Sequence, residues 1–214
     1  MWKSTPAGGP ERVVALADGV FAIAITLLVL DFSVPRDLDS AAYHAELRDL
    51  APNFGAYVLS LLVLGLFWRD HRRIFGFVER VDGQLITLSL VGLGVAALVP
   101  FPTKLISEYG RDPVSVAAYA AAVAALGAAH LALLAVLAGR PWLRGDAAPE
   151  EGFLLYGADI AASVVVFALS IPLALAIGPA AMWSWLVLVP VKGLLGRWAT
   201  RARRRAAVSR TPRD

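Results

Sequence analysis

A few polar side chains lie inside long apolar stretches of the chain. Asp18 lies within the first stretch, with Arg12 at its start, and Trp68, Asp70 and His71 lie at the end of the second. Charged groups in an apolar medium are costly without partners, so such residues either hold helices together or pass ions and protons. Arg12 and Asp18 are six positions apart, and at about 100° per residue they lie on different faces of a helix. We therefore expect Asp18 to bond to another helix rather than to reach the membrane interface, whereas for Arg12 a bond to another helix and an interfacial position are both open.

Two more polar residues lie in later apolar stretches. Asp159 lies about two turns into the fifth stretch, where pairing with a loop arginine and a proton or ion path are both open, and pairing is favoured. His130 is predicted to form a hydrogen bond to a neighbouring helix. The chain has no cysteine, and we find no His/Glu metal spacing and no serine beside a plausible base. We therefore expect no enzyme, no catalytic residue, no metal and no cofactor.

The first apolar stretch also carries a stripe of residues along one side. Thr26, Leu27 and Leu30 fall within about 60° of Ile23 on a helix with about 100° per residue, and Gly19 lies on the same stripe. Any buried helix has such a stripe, so the pattern leaves both a packing face and a pore lining open.

The content of hydrophobic and charged residues predicts which secondary-structure elements carry these residues. Hydrophobic residues make up 58 % of the 214 residues and charged residues 17 %, whereas about 25 % of residues are charged in soluble domains. A single soluble core cannot hide this much apolar surface, but lipid can accept it. We predict an all-α, polytopic membrane protein in which residues 1–198 form a six-helix transmembrane domain. The six predicted spans are 12–32, 54–75, 85–100, 114–137, 153–177 and 180–198.

The distribution of Lys and Arg predicts the orientation. With six spans, one side holds both termini and the second and fourth loops, and it carries fifteen Lys and Arg residues, against four on the other side. This asymmetry indicates cytoplasmic termini in the cell membrane. Residues 199–214 are predicted to be a basic cytoplasmic tail that is disordered or lies on the membrane surface. A basic tail after a span more often sets topology than binds nucleic acid, so we expect no nucleic-acid partner.

The residues from Arg12 onwards resemble the first helix of a known family. The run Arg12-x3-Leu16-Ala17-Asp18, followed by apolar residues to Asp31, is similar to the first helix of the endosomal and lysosomal potassium channel family (transmembrane protein 175 type), in its prokaryotic branch. The family signature is Arg-x3-Phe-Ser-Asp, so this chain departs from it at Leu16 and Ala17. The missing serine hydroxyl removes one hydrogen bond, worth about 1 kcal/mol.

Two further motifs support the resemblance. Trp68-x2-His71 closes the second apolar stretch, and Pro100-Phe-Pro-Thr-x4-Glu108-Tyr-Gly closes the third. Together the motifs cover the first half of the chain, while the second half agrees only in length, hydropathy and helix count.

The resemblance implies a homotetrameric, potassium-permeable cation channel with modest selectivity over sodium and with the first helices around a central pore. The family lacks a carbonyl filter, and its constriction consists of aliphatic side chains, which correspond here to Ile23, Leu27 and Leu30, with Thr26 as the nearby hydroxyl. The implied partners are three further copies of the chain, the lipid bilayer and monovalent cations, with potassium as the permeant ion.

The resemblance also implies a polar network that holds the first helix, carried over to Arg12, Asp18, Trp68 and His71. Asp31 follows the stripe directly, and we expect it either to concentrate cations at the outer mouth or to be a plain interfacial acid. The alternative function is a proton- or ion-coupled transporter that uses Asp18, His71 and Asp159.

Overall fold

The computed structural model describes residues 9–145, 150–188 and 190–194, and it is helical with no β-strand in these ranges. The predicted basic tail, 199–214, lies outside the described residues. The helices are α1 (Pro10–Leu27), α2 (Ser40–Asp49), α3 (Ala51–Phe75), α4 (Gly83–Leu98), α5 (Pro100–Tyr109), α6 (Pro113–Gly139) and α7 (Glu150–Ile177). Short 3₁₀ segments follow α1 (Leu28–Asp31), α6 (Pro141–Leu143) and α7 (Gly178–Val187).

Five continuous helical stretches are long and apolar enough to cross a membrane. They are Pro10–Asp31, Ser40–Phe75, Gly83–Tyr109, Pro113–Gly139 and Tyr156–Leu194, found among the described residues. The predicted all-helical fold class is therefore confirmed, with five candidate membrane spans among the described residues. The count differs from the six predicted spans because the last two fall within one stretch.

The third stretch is longer than predicted. Its expected end at Pro100 is wrong, because α4 and α5 are joined through Val99, whose backbone is itself helical (φ −52°, ψ −37°). Pro100 occupies the first turn of α5, where the missing N–H costs no hydrogen bond. Pro102, Thr103 and Ile106 of α5 then point into the core, so the helix continues to Tyr109.

The last stretch reverses direction at Gly178. This residue has φ +75°, a conformation that glycine adopts without steric cost. Beyond it, the Trp185 indole donates a hydrogen bond to Ser170 Oγ (3.1 Å), and Lys192 Nζ lies 2.9 Å from Asp159 Oδ2. Each contact joins a residue before Gly178 to one after it, and the contact further from Gly178 on one side is also further from it on the other. The two arms therefore run antiparallel.

α6 lies at the centre of the fold. It packs against α3, α4, α5 and α7 and buries residues all along its length, among them Tyr119, Leu126 and Leu133. By contrast, α1 packs on α3 and α4 with a single face and lies at the edge of the bundle.

Two loops bind each other at the end of the bundle where α3 and α6 finish. The main-chain N–H groups of Glu79 and Arg80 donate to the Leu143 carbonyl (2.9 and 3.3 Å), and the Gly145 N–H donates to the Phe77 carbonyl (3.2 Å). Arg140 also forms an ion pair with Asp82. We call residues 77–82 and 140–145 together the loop clasp. Buried Val78, Val81 and Leu143 fix it to the core.

Candidate functional site

One face of α1 has no partner within the described chain. The side chains of Ile23, Leu27 and Leu30 are 61 %, 41 % and 70 % exposed. The opposite face packs into the bundle through Ala17, Phe21, Ala24 and Leu28, which are at most 1 % exposed. Because the predicted stripe is the exposed side of a helix whose other side is buried, it is available to a second copy of the chain, to lipid or to water.

Thr26 lies on the same exposed face. Its hydroxyl donates a hydrogen bond to the carbonyl of Ile23, with an O···O distance of 2.9 Å. Since the hydroxyl hydrogen is used within the helix and the residue is exposed, Oγ1 remains able to accept a hydrogen bond or a cation. At this position Thr26 is an acceptor, which is the polarity a cation requires.

Asp31 ends the 3₁₀ turn that extends α1. It is half-buried and interacts electrostatically with Lys104 and Glu108 of α5. These two residues form an ion pair with each other (3.7 Å) along one side of α5. The acid thus lies at the end of the exposed stripe, beside a charge pair of nearly zero net charge.

α1 is tied to α3 by a polar contact. The Trp68 indole N–H donates to Asp18 Oδ1 (2.7 Å), and Arg72 Nη1 lies 3.8 Å from Asp18 Oδ2. The Arg72 guanidinium also lies over the Trp68 ring, 5.4 Å from its centroid. The structure therefore brings Asp18 and Trp68 together and adds Arg72 to them. The spacing of four between Trp68 and Arg72 on one helix face was the signal that could have found Arg72.

His71 lies in an aromatic environment and not beside the polar residues expected as its partners. Its ring is 2 % exposed, stacks on Phe75 (4.6 Å between centroids) and contacts Phe21 of α1 (6.3 Å). Neither ring nitrogen has a hydrogen-bond partner among the described residues. In this structure His71 therefore makes no hydrogen bond to Asp18 or Trp68 and lies among aromatic rings, and its place in the polar network stays a prediction. Arg12 is exposed in the first turn of α1 and has an interaction partner within the chain.

The two later polar residues also have partners other than those expected. Asp159 pairs with Lys192 and not with a loop arginine, because the chain reversal at Gly178 brings the last helical arm back to α7. His130 Nδ1 is 2.8 Å from the Leu126 carbonyl of its own helix, and its ring also lies against Phe67 of α3, with 5.2 Å between the ring centroids. The sequence also gave no signal for a buried hydroxyl cluster that links α3, α5 and α6, formed by Ser60, Thr103 and Tyr119 (O···O 2.8 and 3.1 Å).

Part of the chain is similar in sequence to known ion channels. Residues 12–100 match the family described as endosomal/lysosomal potassium channel TMEM175. A potassium channel of Streptomyces collinus is 45 % identical over 127 residues, which is 57 % of this chain and 61 % of that protein. The human endosomal/lysosomal proton channel TMEM175 is 33 % identical over 111 residues, 48 % of this chain and 22 % of that protein. The match thus spans less than two thirds of either relative.

The likeness in fold extends further along the chain. The crystal structure of a lysosomal potassium-selective channel TMEM175 homolog from Chamaesiphon minutus has a TM-score of 0.73 and 25 % identity, and the match covers 89 % of this chain and 97 % of that one. All three relatives are described as channels and not as enzymes. Residues 12–100 are thus similar to the family of the endosomal/lysosomal potassium channel TMEM175, and most of the chain is similar in fold to a bacterial homolog of that channel.

Proposed function

We propose that four copies of this chain form a potassium-permeable cation channel with α1 of each copy around a central pore. Each subunit crosses the cell membrane six times with both termini in the cytoplasm. The pore is modestly selective for potassium over sodium, and its constriction consists of the aliphatic side chains of Ile23, Leu27 and Leu30.

The single observation that carries this proposal is the exposed stripe of α1. Apolar side chains on other helices, such as Leu62 and Leu90, are also exposed (59 % and 50 %), and lipid accounts for them. The α1 stripe differs because it includes an outward-facing acceptor, Thr26, and ends at a carboxylate, Asp31. A surface that alternates apolar rings with an oxygen acceptor suits a passage for cations better than a lipid contact.

A hydrophobic constriction works through water. Rings of Ile23, Leu27 and Leu30 exclude water when they are close together and admit a partly hydrated cation when they move apart. Four Thr26 oxygens then replace part of the water that the ion gives up. In the same arrangement, four copies of Asp31 raise the local cation concentration at the outer mouth.

The antiparallel arms around Gly178 support six crossings. The stretch Tyr156–Leu194 has 39 residues, which at about 1.5 Å per residue is roughly twice the ~30 Å of a bilayer core. A reversal near its middle gives two passes of suitable length. An even number of passes leaves both termini on the Lys- and Arg-rich side, in agreement with the positive-inside rule.

We propose potassium rather than protons as the permeant ion because of how the relatives are described. The Streptomyces protein, at 45 % identity, is described as a potassium channel, whereas the more distant human protein is described as a proton channel. The rival transporter would need a relay through Asp18, His71 and Asp159. Among the described residues, no hydrogen bond or ion pair joins these three, and Asp159 is occupied by Lys192.

The test is cation flux through purified protein in liposomes with a potassium gradient, for the wild type, Leu27→Ala and Leu90→Ala. We expect potassium to pass faster than sodium in the wild type, and Leu27→Ala to change the rate or the selectivity severalfold because it widens the constriction. Leu90→Ala, the same truncation at a similarly exposed position on α4, should leave both unchanged. Equal flux through all three tetrameric proteins would contradict the assignment of α1 to the pore.

A further inference from the structure

Two arginines stack on consecutive aromatic rings at the start of α7. The Arg73 guanidinium lies 4.3 Å from the centroid of the Tyr156 ring, and the Arg144 guanidinium lies 5.7 Å from that of Phe153. Phe153 and Tyr156 are three residues apart on one helix, so their side chains are neighbours. One arginine comes from the end of α3 and the other from the loop clasp, and each lies on one of two neighbouring rings of α7.

These two charges have no carboxylate partner within the ranges that the structure describes. Of the acids nearby, Asp70 pairs with Arg69 (3.4 Å) and Asp82 pairs with Arg140, while the exposed Glu79 lies near Gly145 and forms no ion pair with either arginine. Stacking on a ring fixes a guanidinium plane while its N–H groups remain free at the edge. The arrangement is therefore a pair of guanidiniums held against aromatic rings, and guanidinium N–H groups are the donors that phosphate oxygens match.

The pair lies where apolar helices end. Trp142, two residues before Arg144, is 57 % exposed, although Leu143 beside it is fully buried. A tryptophan held outward at the end of membrane helices is typical of the level of lipid headgroups. Arg73 is exposed and Arg144 half-buried, so both are accessible from that level.

We propose that Arg73 and Arg144, with Trp142 beside them, form a binding site for the phosphate of an anionic phospholipid. The lipid phosphate accepts hydrogen bonds from the N–H groups of the two guanidiniums, while the indole of Trp142 lies among the headgroups. The site requires only that the chain spans a membrane, and it does not depend on which ion passes or on whether α1 lines a pore.

Native mass spectrometry of the full chain in detergent, with phosphatidylglycerol or phosphatidylcholine added, tests this site. We expect the wild type to retain phosphatidylglycerol in preference to phosphatidylcholine. Arg73→Gln/Arg144→Gln should weaken phosphatidylglycerol binding by about tenfold, because both charged contacts are lost. The control Arg36→Gln/Arg111→Gln removes two exposed arginines from the other end of the bundle and should bind like the wild type.

Three results would overturn the proposal. The first is equal retention of the two lipids by the wild type, which needs no variant and so does not depend on the fold of one. The second is displacement of bound lipid by millimolar inorganic phosphate, which would indicate a site for a soluble anion. The third is loss of lipid binding together with a change in oligomeric state, which would assign the arginines to a subunit interface.

Discussion

α1 and α6 are both apolar enough to cross a membrane, but they have opposite places in the fold. Half of the most apolar window of α6 is buried within the chain, against 22 % for α1. α6 contacts four other helices, whereas α1 rests on its neighbours with one face and leaves the Ile23–Leu30 side open. The difference shows that apolar composition predicts a membrane span but does not predict whether other helices of the chain cover it. We expect changes in α6 to alter stability and changes on the open face of α1 to alter transport.

Two glycines provide the largest contrast. A Cβ added at Gly127 of α6 would lie 2.6 Å from Val164 Cγ2, whereas one added at Gly19 of α1 meets nothing within 4 Å. Both Gly→Ala changes gain the same helix propensity, up to about 1 kcal/mol, so their difference isolates the overlap. We expect Gly127→Ala to be less stable than Gly19→Ala by about 1–3 kcal/mol.

Reversible unfolding in mixed detergent micelles measures this difference. Equal stability of the two variants would show that α6 is able to move away from α7 at no cost. In that case the contrast between a core helix and a peripheral helix would not hold.

The polar contact that ties α1 to α3 should have a smaller effect. Trp68→Phe keeps the ring but removes the N–H that binds Asp18, while Arg72 remains near the carboxylate. We expect a loss of about 1 kcal/mol, because the Asp18 side chain is 40 % exposed and solvent replaces part of the bond. The same unfolding assay measures it, with Trp183→Phe, at a tryptophan that is 73 % exposed, as the matched control. An equal loss in both variants would mean that α1 is held by apolar packing alone.

The smallest expected effect on stability is at Asp31. Asp31→Asn should leave the free energy of unfolding almost unchanged, because the residue is half-buried at the end of a 3₁₀ turn. If the acid faces the outer mouth, single-channel current at low salt should fall and should recover at high salt, where screening removes the advantage. Asp37→Asn, in the exposed loop that follows, is the control. Unchanged current at low salt would make Asp31 a plain interfacial acid.

The membrane spans were predictable because an apolar run of about 20 residues has few other uses in a folded chain. The stripe of Ile23, Leu27 and Leu30 also followed from its helical spacing, but its exposure did not, because the buried face of α1 repeats at the same spacing. The partners of polar residues were not predictable in the same way. Asp159 meets Lys192 only because Gly178 reverses the chain, and the sequence around Asp159 contains no sign of that contact.

Proline and histidine limited the prediction for different reasons. The predicted third span stopped at Pro100, yet a proline in the first turn of a new helix leaves no N–H unsatisfied, so α5 continues from α4. His71 was expected in a polar network because the resemblance implied it. The sequence contains no sign of the rings of Phe21, Phe75 and His130 that lie against it in the fold.

The loop clasp has a consequence for how this protein can change over time. Its loops are joined by main-chain N–H and carbonyl groups of residues 77–80 and 143–145, and most substitutions leave those groups in place. Point mutations in the clasp can therefore accumulate without separating the loops, whereas an insertion or deletion of one residue would shift the bonded atoms out of register. Selection at this end of the bundle should act mainly on loop length, and relatives should keep the number of residues here more faithfully than their identities.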